Sequence, residues 1–365
     1  MTILDWSQLH EKSVFTPMTP LLALFSFLYG VGIRIRVRAY GGVRRKSLPG
    51  FVVSVGNLTA GGTGKTPAAC MLAEWALGEG YGVAILSRGY GGHPMKQVLE
   101  VTDGHGINPT PAEAGDEPFL LAQRLRGVPI FISKSRYQAG LLAHKKYRTN
   151  FYILDDGFQH LPLKRDLDLV LMDARSPFGN GHLLPWGPLR EPPSHLKRAD
   201  AFVITRSGQR ASEGVHDSIR FLKQRFPGKP VFGSEHVPES VVFPNEDTGY
   251  DTGFLKGKRA IAFAGIARPD LFKDTLINLG TDLVMFRGFR DHHPFTQSEI
   301  QGLVAEKERL KADCLLTTEK DWVRLENLAG EYPDLGYLRI KFSLLDREEE
   351  FFGIIKEKAG KALRA

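Results

Sequence analysis

The chain has 365 residues, 42% apolar and 24% charged, which is ordinary for soluble globular protein and long enough for two cores. Its two cysteines, Cys70 and Cys314, lie far apart among apolar neighbours; this excludes a disulfide framework or cysteine metal site and points to a reducing compartment. The formal net charge of +7 and a pI near 9.3 imply an anionic partner, either a membrane surface or a phosphorylated ligand. No nucleic acid is expected.

An apolar stretch, Leu21–Ile33, is followed by Arg34, Arg36, Arg38, Arg44, Arg45 and Lys46. The apolar part is shorter than the roughly 20 residues that span a bilayer. Asp5 and Glu11 precede it and no small-residue cleavage site follows, so it does not read as a signal peptide. An apolar segment beside cations suits a helix lying in the interface of an anionic leaflet; a helix packed on the main domain with a solvated basic face is the alternative.

A predicted strand from Phe51 to Val55 then runs into Leu58-Thr59-Ala60-Gly61-Gly62-Thr63-Gly64-Lys65-Thr66, followed by a predicted helix to Leu77. Glycines 61, 62 and 64 let consecutive N–H groups turn inward toward phosphate oxygens, and the helix adds its positive end. Lys65 is expected to reach the β- and γ-phosphates and Thr66 to offer its hydroxyl to Mg²⁺. The strict pattern wants glycine where Thr59 stands. A purely structural glycine turn is the alternative, but a strand before and a helix after favour nucleotide binding.

Further strands are predicted at Val83–Ser87, Pro129–Ile132, Phe151–Asp155, Leu167–Met172 and Ala201–Thr205, with helices such as Glu117–Leu125 between them. Apolar, unalternated strands alternating with helices predict an α/β fold, a phosphate-loop NTPase-like parallel sheet covered on both faces. Ligands on such sheets sit at the strands' C-terminal ends. That rim collects the phosphate loop, Ser87–Gly92 and Asp155-Asp156-Gly157. The carboxylates Asp155 and Asp156 end a strand of the kind that holds Mg²⁺ beside a phosphate loop. Asp173 competes, but its single carboxylate reads as an ordinary strand end. Asp116 and Glu117 precede a helix and, by local pattern, read as acids stabilised by its dipole.

Between about Phe226 and Lys258 prolines fall among polar residues, predicting an inter-domain connection. A second, smaller α/β set follows, with strands at Arg259–Ala264, Leu283–Phe286, Cys314–Thr317 and Tyr337–Ile340 and a helix at Gln297–Lys311. The predicted division is 1–46, an N-terminal helix and basic segment; 47–228, the phosphate-loop domain; 229–258, the connection; and 259–365, the second domain. Asp291-His292-His293-Pro294 lacks partners spaced for a zinc site and reads as a surface turn. Thr318-Glu319-Lys320-Asp321 looks like a guanine-reading motif without its Asn, so it does not support GTP.

The loop Ser54–Pro67 resembles that of the tetraacyldisaccharide 4′-kinases, the lipid A 4′-kinases of Gram-negative bacteria. So do Leu86–Gly91, Gly115–Pro118, Asp155–His160, Leu184–Glu191, Phe289–His293 and Thr317–Asp321, in order. The resemblance covers about Pro20 to Leu325, and Thr59 is part of it. It implies transfer of the ATP γ-phosphate to the 4′-hydroxyl of an acylated glucosamine disaccharide 1-phosphate, at the cytoplasmic face of the inner membrane. ATP and Mg²⁺ are the implied cofactors, the lipid and an anionic membrane surface the implied partners. Residue by residue, it implies that Lys65 and Thr66 handle phosphates and metal, with Asp155 and Asp156 around the metal. Asp116 is then a catalytic base supported by His292, Arg136 faces the transferred group, and Glu191 is a polar active-site residue. Asp116 and His292 fall in different predicted domains, so closure over nucleotide is expected to join them. A membrane-associated regulatory phosphate-loop NTPase, or another small-molecule kinase, is the alternative function.

Overall fold

The structure is a computed structural model and describes residues 17–41, 45–90, 92, 97–207, 213–244, 248–329 and 332–364. Residues 1–16 of the predicted N-terminal segment, Arg44 of its basic run and Gly91 of the Ser87–Gly92 stretch lie outside them.

Among the described residues thirteen strands form one sheet: β1 (Phe51–Asn57), β2 (Val83–Ser87), β3 (Val98–Thr102), β4 (Ile130–Ser133), β5 (Phe151–Asp155), β6 (Leu167–Asp173), β7 (Ala201–Thr205), β8 (Val231–Phe243), β9 (Thr248–Tyr250), β10 (Arg259–Ala264), β11 (Asp282–Gly288), β12 (Cys314–Thr318) and β13 (Leu335–Leu344). Their order is β11-β10-β12-β13-β8-β7-β6-β1-β5-β2-β4-β3, with β9 paired to β8. From β4 through β7 the pairing is parallel, as the apolar runs predict, and β3 closes the edge antiparallel. Both faces are covered. Phe51, Val53 and Val55 pack toward Ala69, Leu72 and Ala73 of the helix Lys65–Gly78, while Val52, Tyr152 and Leu154 pack toward Ala139 and Ala143 of the helix Arg136–Tyr147.

The segment 229–258 differs from a polar connection: it contains β8, which belongs to both parts of the sheet. Residues Val231–Ser234 pair parallel with β7, and β8 from Ser234 to Val242 pairs antiparallel with β13. Pro238, which argues against a strand interior, sits next to a register shift opposite Arg339 and Ile340, beyond the end of the β7 pairing. A bulge is where a strand tolerates a residue without an N–H. The C-terminal helix Glu348–Ala362 then returns across the first core, burying Phe351 and Ile355 there, with Phe352 stacked on Trp75 at 4.7 Å.

The N-terminal apolar stretch is the middle of a longer helix. A helix runs from Thr19 to Ala39, 21 residues, and among the described residues it is the one long and apolar enough by length and composition to cross a membrane. It continues past Ile33 because arginine is a good helix former, so Arg34, Arg36 and Arg38 end the apolar run but not the helix. Thr19, Leu22, Ser26 and Gly30 form a narrow buried stripe, whereas Leu21, Leu24, Phe25, Phe27, Leu28 and Ile35 are exposed. The stripe docks on one loop: Ser26 Oγ donates to the Leu183 carbonyl at 2.9 Å and Tyr29 Oη to that of Arg190 at 3.0 Å. A side chain at Gly30 would meet Leu183 Cδ1 at 2.7 Å.

Candidate active site

β1 delivers the chain at Asn57 to a loop that closes on Gly64, whose φ of 82° is left-handed and caps the 14-residue helix beginning at Lys65. A Cβ at Gly64 would lie 2.4 Å from the buried Nε2 of His236, so glycine is required there twice over. Thr59 is not in a tight turn. It is bridged antiparallel to Leu189, an extended setting that suits a β-branched residue. The same neighbouring segment braces the loop on both sides: Ala60 N–H donates to the Pro188 carbonyl at 2.7 Å, and Arg190 N–H to that of Leu58 at 2.8 Å. Arg206 Nη2 holds the Gly62 carbonyl at 2.9 Å. Thr63 and Thr66 are buried, and Thr63 Oγ1 has no hydrogen-bond partner. Lys65 Nζ donates to Asn57 Oδ1 at 3.2 Å and stands 3.6 Å from Asp156 Oδ1.

β5 pairs with β1 so that Asp155 lies opposite Val55, beside the loop. Both Asp155 carboxylate oxygens are buried without a hydrogen-bond partner. Burial, then the charges of Glu117 and Asp156, push its pKa up to about 7 against the pull of Lys65 and Arg136. Asp156, in the left-handed region at φ 52°, is spoken for: Arg190 Nη1 donates to its two oxygens at 2.8 and 2.7 Å. Burial raises the Asp156 pKa, but Lys65 and Arg190 more than offset it and hold the group ionised. Arg136, buried at the start of its helix, is pulled down to about 10 by burial and Arg88, and its Nε has no partner. An orphaned buried carboxylate fits a divalent cation. Among the described residues no group of three or more His, Cys, Asp or Glu is placed to hold a metal. A cation here therefore takes few protein ligands, the regime of Mg²⁺ held mainly by phosphates and water.

Asp116 begins the helix Asp116–Arg124, and His292 Nδ1 lies 3.0 Å from its Oδ2. The contact joins the two parts of the chain that the sequence places in separate domains. Burial raises the Asp116 pKa, yet the hydrogen bond from His292 and then the nearby Arg324 and Lys320 charges lower it on balance. His292 adopts φ 56° and its N–H donates to the Gly265 carbonyl at 3.0 Å. Its neighbour His293 turns away to Glu299, at 3.0 Å, and stacks on Phe289.

Lys65, Thr66, Asp155, Asp156 and Arg136 thus share one rim, and Asp116 pairs with His292 as expected by resemblance. Glu191 does not join them. Its carboxylate is buried between His195 Nδ1 at 2.7 Å and Arg198 Nη1 and Nη2 at 2.8 and 3.1 Å, anchoring the chain behind the loop-bracing segment. Burial works against the Glu191 charge, and the His195 and Arg198 bonds outweigh it. Asn57, Arg190 and Lys320 also belong to the site, and each sits inside one of the sequence motifs without a local pattern that gives it a role. Arg206 and Arg324 carry no local pattern that would have flagged them.

The family described as tetraacyldisaccharide-1-P 4′-kinase matches this chain over residues 18–359. A tetraacyldisaccharide 4′-kinase of Geobacter metallireducens is 42% identical over 328 residues, covering 89% of this chain and 94% of that protein. One from Desulfatibacillum aliphaticivorans is 40% identical over 348 residues, covering 93% and 92%. Among solved structures, LpxK from Aquifex aeolicus in complex with ATP superposes with a TM-score of 0.75 at 34% identity, covering 94% of this chain and 99% of that one.

The state of Asp155 has a measurable consequence. Its folded pKa of about 7 stands above the ordinary 3.8, so between those values the fold holds a proton that the unfolded chain has lost. Stability therefore falls as pH rises from about 4 to about 7, and the full loss stands above that. In EDTA and without nucleotide, Asp155→Asn is expected to stabilise the protein, by a larger margin at pH 8 than at pH 5 in urea unfolding. A margin independent of pH would contradict an unpaired, charge-strained carboxylate.

Proposed function

The chain belongs to the tetraacyldisaccharide-1-P 4′-kinase family, and from that premise we propose how its residues divide the work. It is a kinase of lipid A biosynthesis, with ATP as phosphoryl donor and a lipid disaccharide as acceptor. The O4′–Pγ bond forms as the bond from Pγ to the ADP oxygen breaks, and the hydroxyl proton leaves. Asp116, ionised and oriented by His292, takes that proton. The loop amides from Gly61 to Lys65 and the Lys65 ammonium hold the β- and γ-phosphates, whose transfer depends mainly on positioning and charge neutralisation. Asp155 and the Thr66 hydroxyl are the residues that would hold Mg²⁺, and Asp156 keeps Lys65 and Arg190 in place. When bound, Mg²⁺ neutralises charge on the phosphate oxygens. Arg136 faces the transferred group, and Glu191 acts at one remove by fixing the segment that braces the loop.

One observation carries the lipid reading. The segment 183–190 grips the phosphate loop on one side and the exposed apolar helix Thr19–Ala39 on the other. Docked along one stripe and exposed over its apolar side, the helix is suited to lie in the interface with that side in the acyl region. Its arginines then meet anionic headgroups, and the cytosolic supply of ATP sets the cytoplasmic face of the inner membrane as the working site. Arg36, Arg88 and Arg136 surround His160, whose pKa falls to about 3 by burial and then by these cations and Arg165; they suit the 1-phosphate of the substrate.

Two measurements test the assignment. With ATP and the disaccharide 1-phosphate, phospholipid product should form, ATP hydrolysis without lipid should stay near background, and Lys65→Ala should lower turnover by about 10²-fold or more. Lipid-independent hydrolysis at the full rate would instead indicate a regulatory NTPase. Replacing Leu24, Phe27, Leu28 and Ile35 with serine should shift the protein from membranes to the soluble fraction while ATP binding persists; an unchanged distribution would remove the helix from the account.

A further inference from the structure

We propose that Lys320 is a positioning residue for the phosphoryl transfer, fixing His292 as a neutral imidazole whose proton sits on Nδ1 and points at Asp116. The inference rests on the assignment of Asp116 as base. Lys320 Nζ lies 3.2 Å from His292 Nε2, on the opposite edge of the ring from the Nδ1 that meets Asp116 Oδ2 at 3.0 Å. A lysine ammonium has three donors and no acceptor, so Nε2 must accept. The carboxylate of Asp116 accepts, so Nδ1 must donate. A doubly protonated ring would set an N–H against the ammonium. The other neutral tautomer would do the same and also aim a lone pair at the carboxylate.

The ammonium is itself held. Glu117 Oε1 lies 3.5 Å from Lys320 Nζ and Asp291 Oδ1 3.9 Å, so two acids, one on each part of the chain, keep it at the ring. Lys320 and its neighbours sit in the first turns of the helix Glu319–Ala329, which packs on the helix Asp116–Arg124. From the same turns, Asp321 Oδ2 accepts from Gly265 N–H at 3.0 Å, while the Gly265 carbonyl accepts from His292 N–H and from Arg324 Nη2 at 3.1 Å. Arg324 Nε stands 3.5 Å from Asp116 Oδ2. One helical segment therefore sets the backbone, the tautomer and the carboxylate partner of the pair. The groups facing it are Glu117, Asp291, Asp321, Lys320 and Arg324. A ring held neutral orients the carboxylate without giving up a proton to it, which leaves Asp116 free to take the one from the acceptor hydroxyl.

The test is nitrogen NMR of the full-length protein labelled with ¹⁵N-histidine, the His292 signals being identified by their loss in His292→Gln. The expected wild-type spectrum at neutral pH is that of a neutral ring protonated on Nδ1. Protonation on Nε2, or on both nitrogens, would overturn the proposal without any lysine variant. In Lys320→Met the signature should leave the pure Nδ1–H form, and kcat should fall about tenfold or more, while KM for ATP stays within about twofold and reports an intact fold. Unchanged kcat and an unchanged His292 signature in that variant would overturn the positioning role alone, provided Asp116→Asn is inactive. Full turnover in Asp116→Asn would overturn both the base assignment and this inference.

Discussion

A hydrogen bond between residues 176 positions apart, His292 to Asp116, sets the terms for the rest of the molecule. Neither partner can be brought to the other by local structure. Asp116 opens a helix on the phosphate-loop part of the sheet, and His292 follows β11 at the far end of it. What fixes their separation is β8, whose first residues pair with β7 while most of its length pairs with β13. A shared strand turns two α/β sets into one sheet, and the C-terminal helix laid over the first core reinforces it. Across the join run further ion pairs, Arg124 to Glu239 and Glu319, and Arg324 to Asp116. Such a frame holds the two halves of the site against each other.

The phosphate side of the site is built on the opposite logic, with groups left unsatisfied. Asp155 is buried with neither oxygen bonded, Thr63 Oγ1 and Arg136 Nε have no partner, and Gly61 and Gly62 present backbone to open space. A fold does not gain stability from such groups, since each buried unpaired polar atom costs about 1–3 kcal/mol. They make sense as places where phosphate and its cation complete the bonding. The bracing segment 183–190 then links this incomplete site to the surface helix, so the part of the protein that suits a membrane is one loop away from the part that suits ATP.

Much of this was legible in the sequence, and the reasons it was are local. Val83–Ser87, Phe151–Asp155, Ala201–Thr205 and Arg259–Ala264 coincide with observed strands because each is a short, unalternated apolar run between turn signals. The phosphate loop declared itself by its glycines. β8 was missed because Pro238 and Pro244 read as breakers, and the bulge that accommodates Pro238 depends on register with β13 about a hundred residues later. The span of the N-terminal helix was underestimated because arginines at 34, 36 and 38 interrupt the apolar run without interrupting the helix. For the site, Asp116 and His292 read from their neighbours as a helix-dipole acid and a turn; only resemblance paired them. Glu191 shows the limit of that route. A motif carries a residue's position, whereas its bonds to His195 and Arg198 are set by packing.

Asp116 and His292 act as one unit although they come from opposite ends of a continuous sheet. A double-mutant cycle on kcat for lipid phosphorylation tests it most directly, comparing Asp116→Ala, His292→Ala and the double variant at saturating ATP. A double variant no slower than the slower single variant is the predicted result, because losing either member already disables the pair. Losses that multiply, each substitution costing the same factor whether or not the other is present, would contradict the claim.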